Sequence, residues 1–219
     1  MTTAVVFIGG DAPHPSILSR LPTDRLVIAA DSGYDHAHEL GIPVDVVVGD
    51  MDSVSAVGLD RMMREGPIVE KYPADKDHTD TELALRSALD RGVSRIMVIS
   101  SNGDRLDHSI GALASLAAPH LAEVEIEAWW GDTRIHVLHG PTEQDIAGTP
   151  GATVSLLPIG GPAHGVVLTG TRYTLSGETL SPTSSRALSN VFEQDRMHVA
   201  VRTGTLLVFI PPATEGPTP

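Results

Sequence analysis

Residues 46–53 read Val46-Val47-Val48-Gly49-Asp50-Met51-Asp52-Ser53: three valines run into a glycine, and two carboxylates follow with one residue between them. An unbroken β-branched run fits a strand covered on both faces, which is the habit of parallel sheets. Two acids at the end of such a strand repel each other, so the pattern calls for a cation just beyond the sheet.

The same texture extends on either side. Apolar runs at 4–9, 26–30, 44–48, 68–72, 96–100 and 124–130 read as strands. Helical patterns fall between them, at 15–20, 34–40, 55–64, 80–91 and 107–120. Thr79 and Glu82, three residues apart, form a capping box at the head of the fourth helix. Alternation of this kind predicts an α/β domain with a mostly parallel sheet and flanking helices.

Beyond about residue 140 the helical period disappears. Short runs at 153–157, 165–168, 198–201 and 206–210 are separated by Gly, Pro, Ser and Thr, which is the texture of an all-β sandwich. The expected organisation is an α/β domain over 1–139, a β-sandwich over 140–212 and a flexible tail over 213–219.

Composition narrows the function. The 219 residues carry 28 acids against 15 Lys and Arg, a net charge of −13, which disfavours nucleic acid and anionic membranes as partners. No cysteine is present, so disulfides and thiolate metal sites are excluded and a reducing compartment suits the chain. The N-terminus lacks a basic leader, and no apolar run approaches the ~20 residues of a membrane span. A soluble, cytoplasmic protein is expected.

The acids gather at strand ends. The second strand runs into Asp31-Ser32-Gly33 and the third into Asp50 and Asp52; the fourth leads to Asp75, Asp77 and Asp80, and the fifth to Asp104 and Asp107. In open parallel sheets, ligands bind beyond the carboxyl ends of the strands. A single such cluster is often a helix cap or a turn; four at one edge need a common cause. Hard oxygen donors without Cys suit Mg²⁺, one ion or two, bridging substrate phosphates. Gly33 and Gly49 are expected to let the backbone approach a phosphate. No GxxxxGK[ST] loop, GxGxxG fingerprint or HExxH helix occurs. His78 and His108 lie within the acidic motifs, and the remaining histidines show no zinc-like spacing.

In order and spacing, these motifs resemble those of the thiamine pyrophosphokinase family. The matching pieces are Ala30-Asp31-Ser32-Gly33, the stretch from Pro43 to Ser53, Lys76-Asp77-His78-Thr79-Asp80, and Gly103-Asp104-Arg105-Leu106-Asp107-His108. Gly170-Thr171-Arg172-Tyr173 and Leu188-Ser189-Asn190 follow in the second domain. The resemblance implies transfer of pyrophosphate from ATP to thiamine with Mg²⁺, releasing AMP, in a homodimer with active sites at the subunit interface. It implies that Asp31, Asp50, Asp52 and Asp80 surround the metal and phosphates, with Asp50, Asp52 and Asp80 catalytic. Substrate contacts are expected at Gly33, Thr79, Arg105, Asp107 and His108. Ser189 and Asn190 are expected to bind the thiamine pyrimidine, with Tyr173 stacking beside it. An alternative for Arg105 is a salt bridge to Asp104 or Asp107, and for Tyr173 a place in the β core. The rival functions are a pyrophosphokinase for another hydroxymethyl heterocycle and a non-catalytic sensor, and repelling carboxylates give a sensor no advantage.

Overall fold

The computed structural model describes residues 2–73, 75, 77–102 and 105–212; Lys76, Gly103 and Asp104 of the motifs, and the tail 213–219, lie outside the described residues. The chain divides into two compact units, one of Met1–Ser115 with Val124–Gly131, the other of Leu116–Glu123 with Asp132–Pro219.

The first unit carries β1 (Thr3–Phe7), β2 (Arg25–Ala30), β3 (Val46–Gly49), β4 (Ile68–Lys71), β5 (Arg95–Ser100) and β6 (Glu125–Trp130). They lie in the order β4-β3-β2-β1-β5-β6, and every adjacent pair is parallel. Val46, Val47 and Val48 are fully buried, as their unbroken apolar run requires. Four helices fill the crossovers: α1 (Gly33–Glu39), α2 (Ala56–Glu65), α3 (Asp80–Asp90) and α4 (Leu106–Ser115). The chain builds outward from β1 through β4, then returns to lay β5 on the other side of β1. That reversal opens a crevice at the carboxyl ends of β1 and β5.

Capping chemistry sets the helix starts. Thr79 Oγ1 accepts the Glu82 N–H at 3.2 Å, and Glu82 Oε2 accepts the Thr79 N–H at 3.0 Å, completing the expected box at α3. Two helical expectations change. Residues 15–20 form a 3-10 helix, and the pattern at 107–120 breaks after Ser115 into a short 3-10 turn, Pro119–Leu121. Pro119 has no N–H to continue the ladder and drives Ala118 into an extended conformation. No helix among the described residues is long and apolar enough to cross a membrane.

The second unit is strand-rich. It contains β7 (Thr133–His139), β8 (Thr142–Ala147), β9 (Thr153–Thr169), β10 (Leu175–Leu180), β11 (Asn190–Val191), β12 (Arg196–Val201) and β13 (Thr203–Ile210). Their order is β7-β13-β9-β12-β8, antiparallel at the pairs that join them, with β10 and β11 also on β9. The unit begins ahead of the expected break after residue 139, because β7 pairs with β13 along Arg134–His139. The runs at 153–157 and 165–168 belong to one long strand, β9. Ser155–Ile159 of β9 pairs with β13, which after a register shift still meets β9 at His164, and Val167–Thr169 pairs with β12, while Ala163–Leu168 also pairs with β10. Val154, Leu156, Val166 and Leu168 point from β9 into a core closed by Phe192 and Met197.

Candidate active site

A cleft of about 640 Å³ opens at the crevice, lined among others by Asp31, Asp50, Asp52, Asp80, Asp107 and His108. Carboxylates from the ends of successive strands therefore meet, as their sequence positions demand. Oxygens of Asp31, Asp50 and Asp52 lie within 4.8 Å of one another. Asp80, at the first turn of α3, faces Asp31 but stands outside that triad.

The backbone is bent to make this possible. Asp31 and Met51 adopt left-handed conformations, with φ of 45° and 70°. Non-glycine residues in this region are uncommon, and they concentrate at sites where strain is part of the design. Gly49, at φ 141°, has no Cβ because Asp31 takes the space: a Cβ there would collide with Asp31 Oδ1 and lie 3.0 Å from Asp80 Oδ1. Gly49 thus admits a carboxylate of its own chain. Gly33 likewise rests against the carbonyl of Phe7, where a Cβ would collide with backbone.

The electrostatics ask for a cation. The Asp31 carboxyl is pushed up to about 7, first by burial, then by the hydrogen-bonded and charged Asp80 carboxylate and by Asp50, against a backbone hydrogen bond from Met51. Asp31 Oδ1 is buried without a hydrogen-bond partner among the described residues. Hard oxygens, close spacing and an orphaned buried carboxylate oxygen all fit Mg²⁺.

At the rim, Arg105 grips Asp107 through two bonds, Nη2 to Oδ2 at 2.6 Å and Nε to Oδ1 at 3.2 Å. The guanidinium also holds the Asp107 carboxyl below its usual range. Of the two expectations for Arg105, the salt bridge is therefore formed. Thr79 lines the cleft while its hydroxyl caps α3. Reading the acids alone passes over Ser100 and Trp130, which also line it. Their place at the carboxyl ends of β5 and β6 is the signal that finds them.

In the second unit, Tyr173 is 55 % exposed, which removes the core alternative. Ser189 is exposed and left-handed at φ 54°. Asn190 is only 2 % exposed, and its amide is bonded to Thr171, Tyr173 and Val191. The fold thus uses this amide to hold the backbone around Tyr173.

A carboxylate cleft at the switch point of a parallel sheet fits an enzyme that handles phosphates through a divalent metal, and with no Walker loop it lies outside the P-loop plan. The comparisons with known proteins carry this to a family. Residues 19–128 match the family model described as thiamin pyrophosphokinase, catalytic domain, and residues 135–207 match its vitamin B1 binding domain. The chain belongs to the thiamin pyrophosphokinase family. It is 26% identical over 196 residues to the thiamine pyrophosphokinase of Bacillus subtilis, spanning 89% of this chain and 91% of that one. The crystal structure of a Bacillus subtilis thiamine pyrophosphokinase shares the fold with a TM-score of 0.84, at 24% identity over 98% of this chain and all of that one. The Candida albicans thiamin pyrophosphokinase does so at 0.78, with 14% identity over 95% of this chain and 89% of that one.

Proposed function

We propose that the chain transfers pyrophosphate from ATP to the hydroxyl of thiamine, giving thiamine diphosphate and AMP. The observation that carries this is the convergence of Asp31, Asp50 and Asp52 within 4.8 Å in a cleft whose domain belongs to a pyrophosphokinase family. These three residues would hold Mg²⁺, which when bound neutralises polyphosphate charge and polarises the phosphorus under attack.

The thiamine hydroxyl oxygen forms a bond to the β-phosphorus. The bond from that phosphorus to the α–β bridging oxygen breaks, and AMP leaves with the oxygen. The hydroxyl proton passes to a carboxylate of the cluster, Asp52 or Asp80. Arg105 exchanges Asp107 for a phosphate oxygen; their ion pair is solvent-exposed and screened, so the exchange costs little. Most of the acceleration comes from alignment and charge neutralisation.

In this reading the α/β unit handles nucleotide and metal, and the strand-rich unit, read as a β-sandwich, holds thiamine. Tyr173 stacks on its cationic ring system, with Ser189 beside it. Thr79 and His108 contribute to the nucleotide end of the cleft. The family resemblance extends the proposal to a homodimer whose active sites draw on both subunits. Mixing Asp52→Asn chains with Tyr173→Ala chains at limiting thiamine restores turnover in that case. A cysteine-free chain suits a cytoplasmic location.

Mass spectrometry after incubation with ATP, Mg²⁺ and thiamine tests the reaction. Thiamine diphosphate and AMP are expected in equal amounts; ADP as the nucleotide product, or unchanged thiamine, would overturn it.

A further inference from the structure

We propose that Asn190 sets thiamine affinity as a positioning residue, acting through Tyr173 and never touching the acceptor. The inference rests on the reading of Tyr173 as the acceptor's stacking surface. A primary amide has two N–H donors and two acceptor lone pairs. Asn190 uses all four. Its Nδ2 donates to the Tyr173 carbonyl at 2.8 Å and to Thr171 Oγ1 at 3.2 Å. Its Oδ1 accepts the N–H of Tyr173 at 3.0 Å and of Val191 at 2.9 Å. The orientation of the amide is fixed by its partners, because a carbonyl only accepts and a backbone N–H only donates.

The two bonds to Tyr173 have the form of a strand rung made by a side chain. Thr171 bridges Phe192, and the Arg172 N–H donates to the Val191 carbonyl at 2.9 Å, but the ladder then lapses until β10 begins at Leu175. Asn190 supplies a partner for both the N–H and the carbonyl of Tyr173 in that gap, with Thr171 Oγ1 adding a longer bond to the carbonyl at 3.5 Å. The residue before it makes this reach possible: Ser189 turns through φ 54°, and its N–H donates to Ser155 Oγ at 3.0 Å. The result is a Tyr173 whose backbone is pinned and whose ring faces outward. A pinned aromatic loses less freedom on binding, which is the usual source of affinity from preorganisation.

A double-variant cycle tests it, with thiamine KM, ATP KM and kcat measured for Asn190→Ala, Tyr173→Ala and the pair. Asn190→Ala is expected to raise thiamine KM several-fold, with ATP KM within about two-fold of the parent. In the Tyr173→Ala background it should add less than about two-fold, since the group it acts through is gone. Losses that multiply would mean a direct contact and overturn the inference. So would a lowered Tm with unchanged thiamine KM, the mark of a merely structural amide. If Asn190→Ala does not fold, Thr171→Val, which removes one partner of Nδ2 together with the 3.5 Å bond from Thr171 Oγ1 to the Tyr173 carbonyl, takes its place in the same cycle under the same criteria. An unchanged thiamine KM for Tyr173→Ala alone would instead reject the stacking role, and this inference with it.

Discussion

Asp35 on α1 holds Ser55 with both carboxylate oxygens: Oδ2 accepts the Ser55 N–H and Oδ1 its hydroxyl, each at 2.8 Å. Ser55 in turn caps α2, its Oγ accepting the Gly58 N–H at 2.9 Å. The loop that carries Asp50 and Asp52 is thereby tied down three residues beyond Asp52. Removing this anchor leaves every proposed metal ligand in place but loosens the segment that presents two of them. Asp35→Ala is expected to weaken Mn²⁺ binding about ten-fold, in line with the loss of other supporting contacts around metal ligands. Titration followed by electron paramagnetic resonance reads this directly. Unchanged affinity would show that the loop holds its shape without Asp35.

Asp50→Asn and Asp52→Asn should each cut turnover by orders of magnitude while the metal-free protein keeps or gains thermal stability. Each change removes one charge from a repelling cluster. Melting curves without metal, beside kinetics at saturating Mg²⁺, check both halves. Near-normal turnover in either variant would remove that residue from the ligand set.

Gly49→Ala tests the crowding at the head of β3. The new methyl would have to displace Asp31 Oδ1, at a backbone conformation that L side chains rarely adopt. A loss of about 1–3 kcal/mol of stability is expected from the backbone alone, together with weakened metal binding. A variant with parental Tm and metal affinity would mean that Asp31 can move aside freely.

His139 gives the second unit an acid sensitivity. Burial holds its pKa below the ordinary 6.5, opposed by the hydrogen bond from its Nε2 to the Leu116 carbonyl at 3.2 Å. Thr205 Oγ1 meets its other ring nitrogen at 3.2 Å. Because the folded pKa is depressed, its contribution to stability is present above pH 6.5 and is lost as pH falls through the folded value. His139→Gln should be less stable near neutrality and should lose Tm less steeply below pH 6.5. Parallel curves for the two proteins would assign the acid sensitivity elsewhere.

The α/β half was legible because its signals are local. Three consecutive valines, the Thr79–Glu82 box and acids at successive strand ends each report on neighbouring residues, and topology brings them together. The glycines were harder to read, since what occupies the missing Cβ of Gly49 is the side chain of Asp31, eighteen positions away. The bonding of Asn190 was hidden for a related reason: its residue type suits ligand binding, and only the fold reveals that its amide bonds the backbone of Tyr173 and Val191 and the hydroxyl of Thr171. In the strand-rich half, β8 escaped notice because its sequence, Thr-Glu-Gln-Asp-Ile-Ala, buries only Ile146. A polar strand of this kind sits at the sheet margin and leaves little apolar pattern to detect.

The partner switch along β9 has a kinetic consequence. One continuous strand is hydrogen-bonded to β13 near Leu156 and to β12 near Leu168, so neither neighbourhood can detach without disturbing the other. Backbone amides in the two stretches should therefore exchange with deuterated solvent as one cooperative block, with a shared opening free energy.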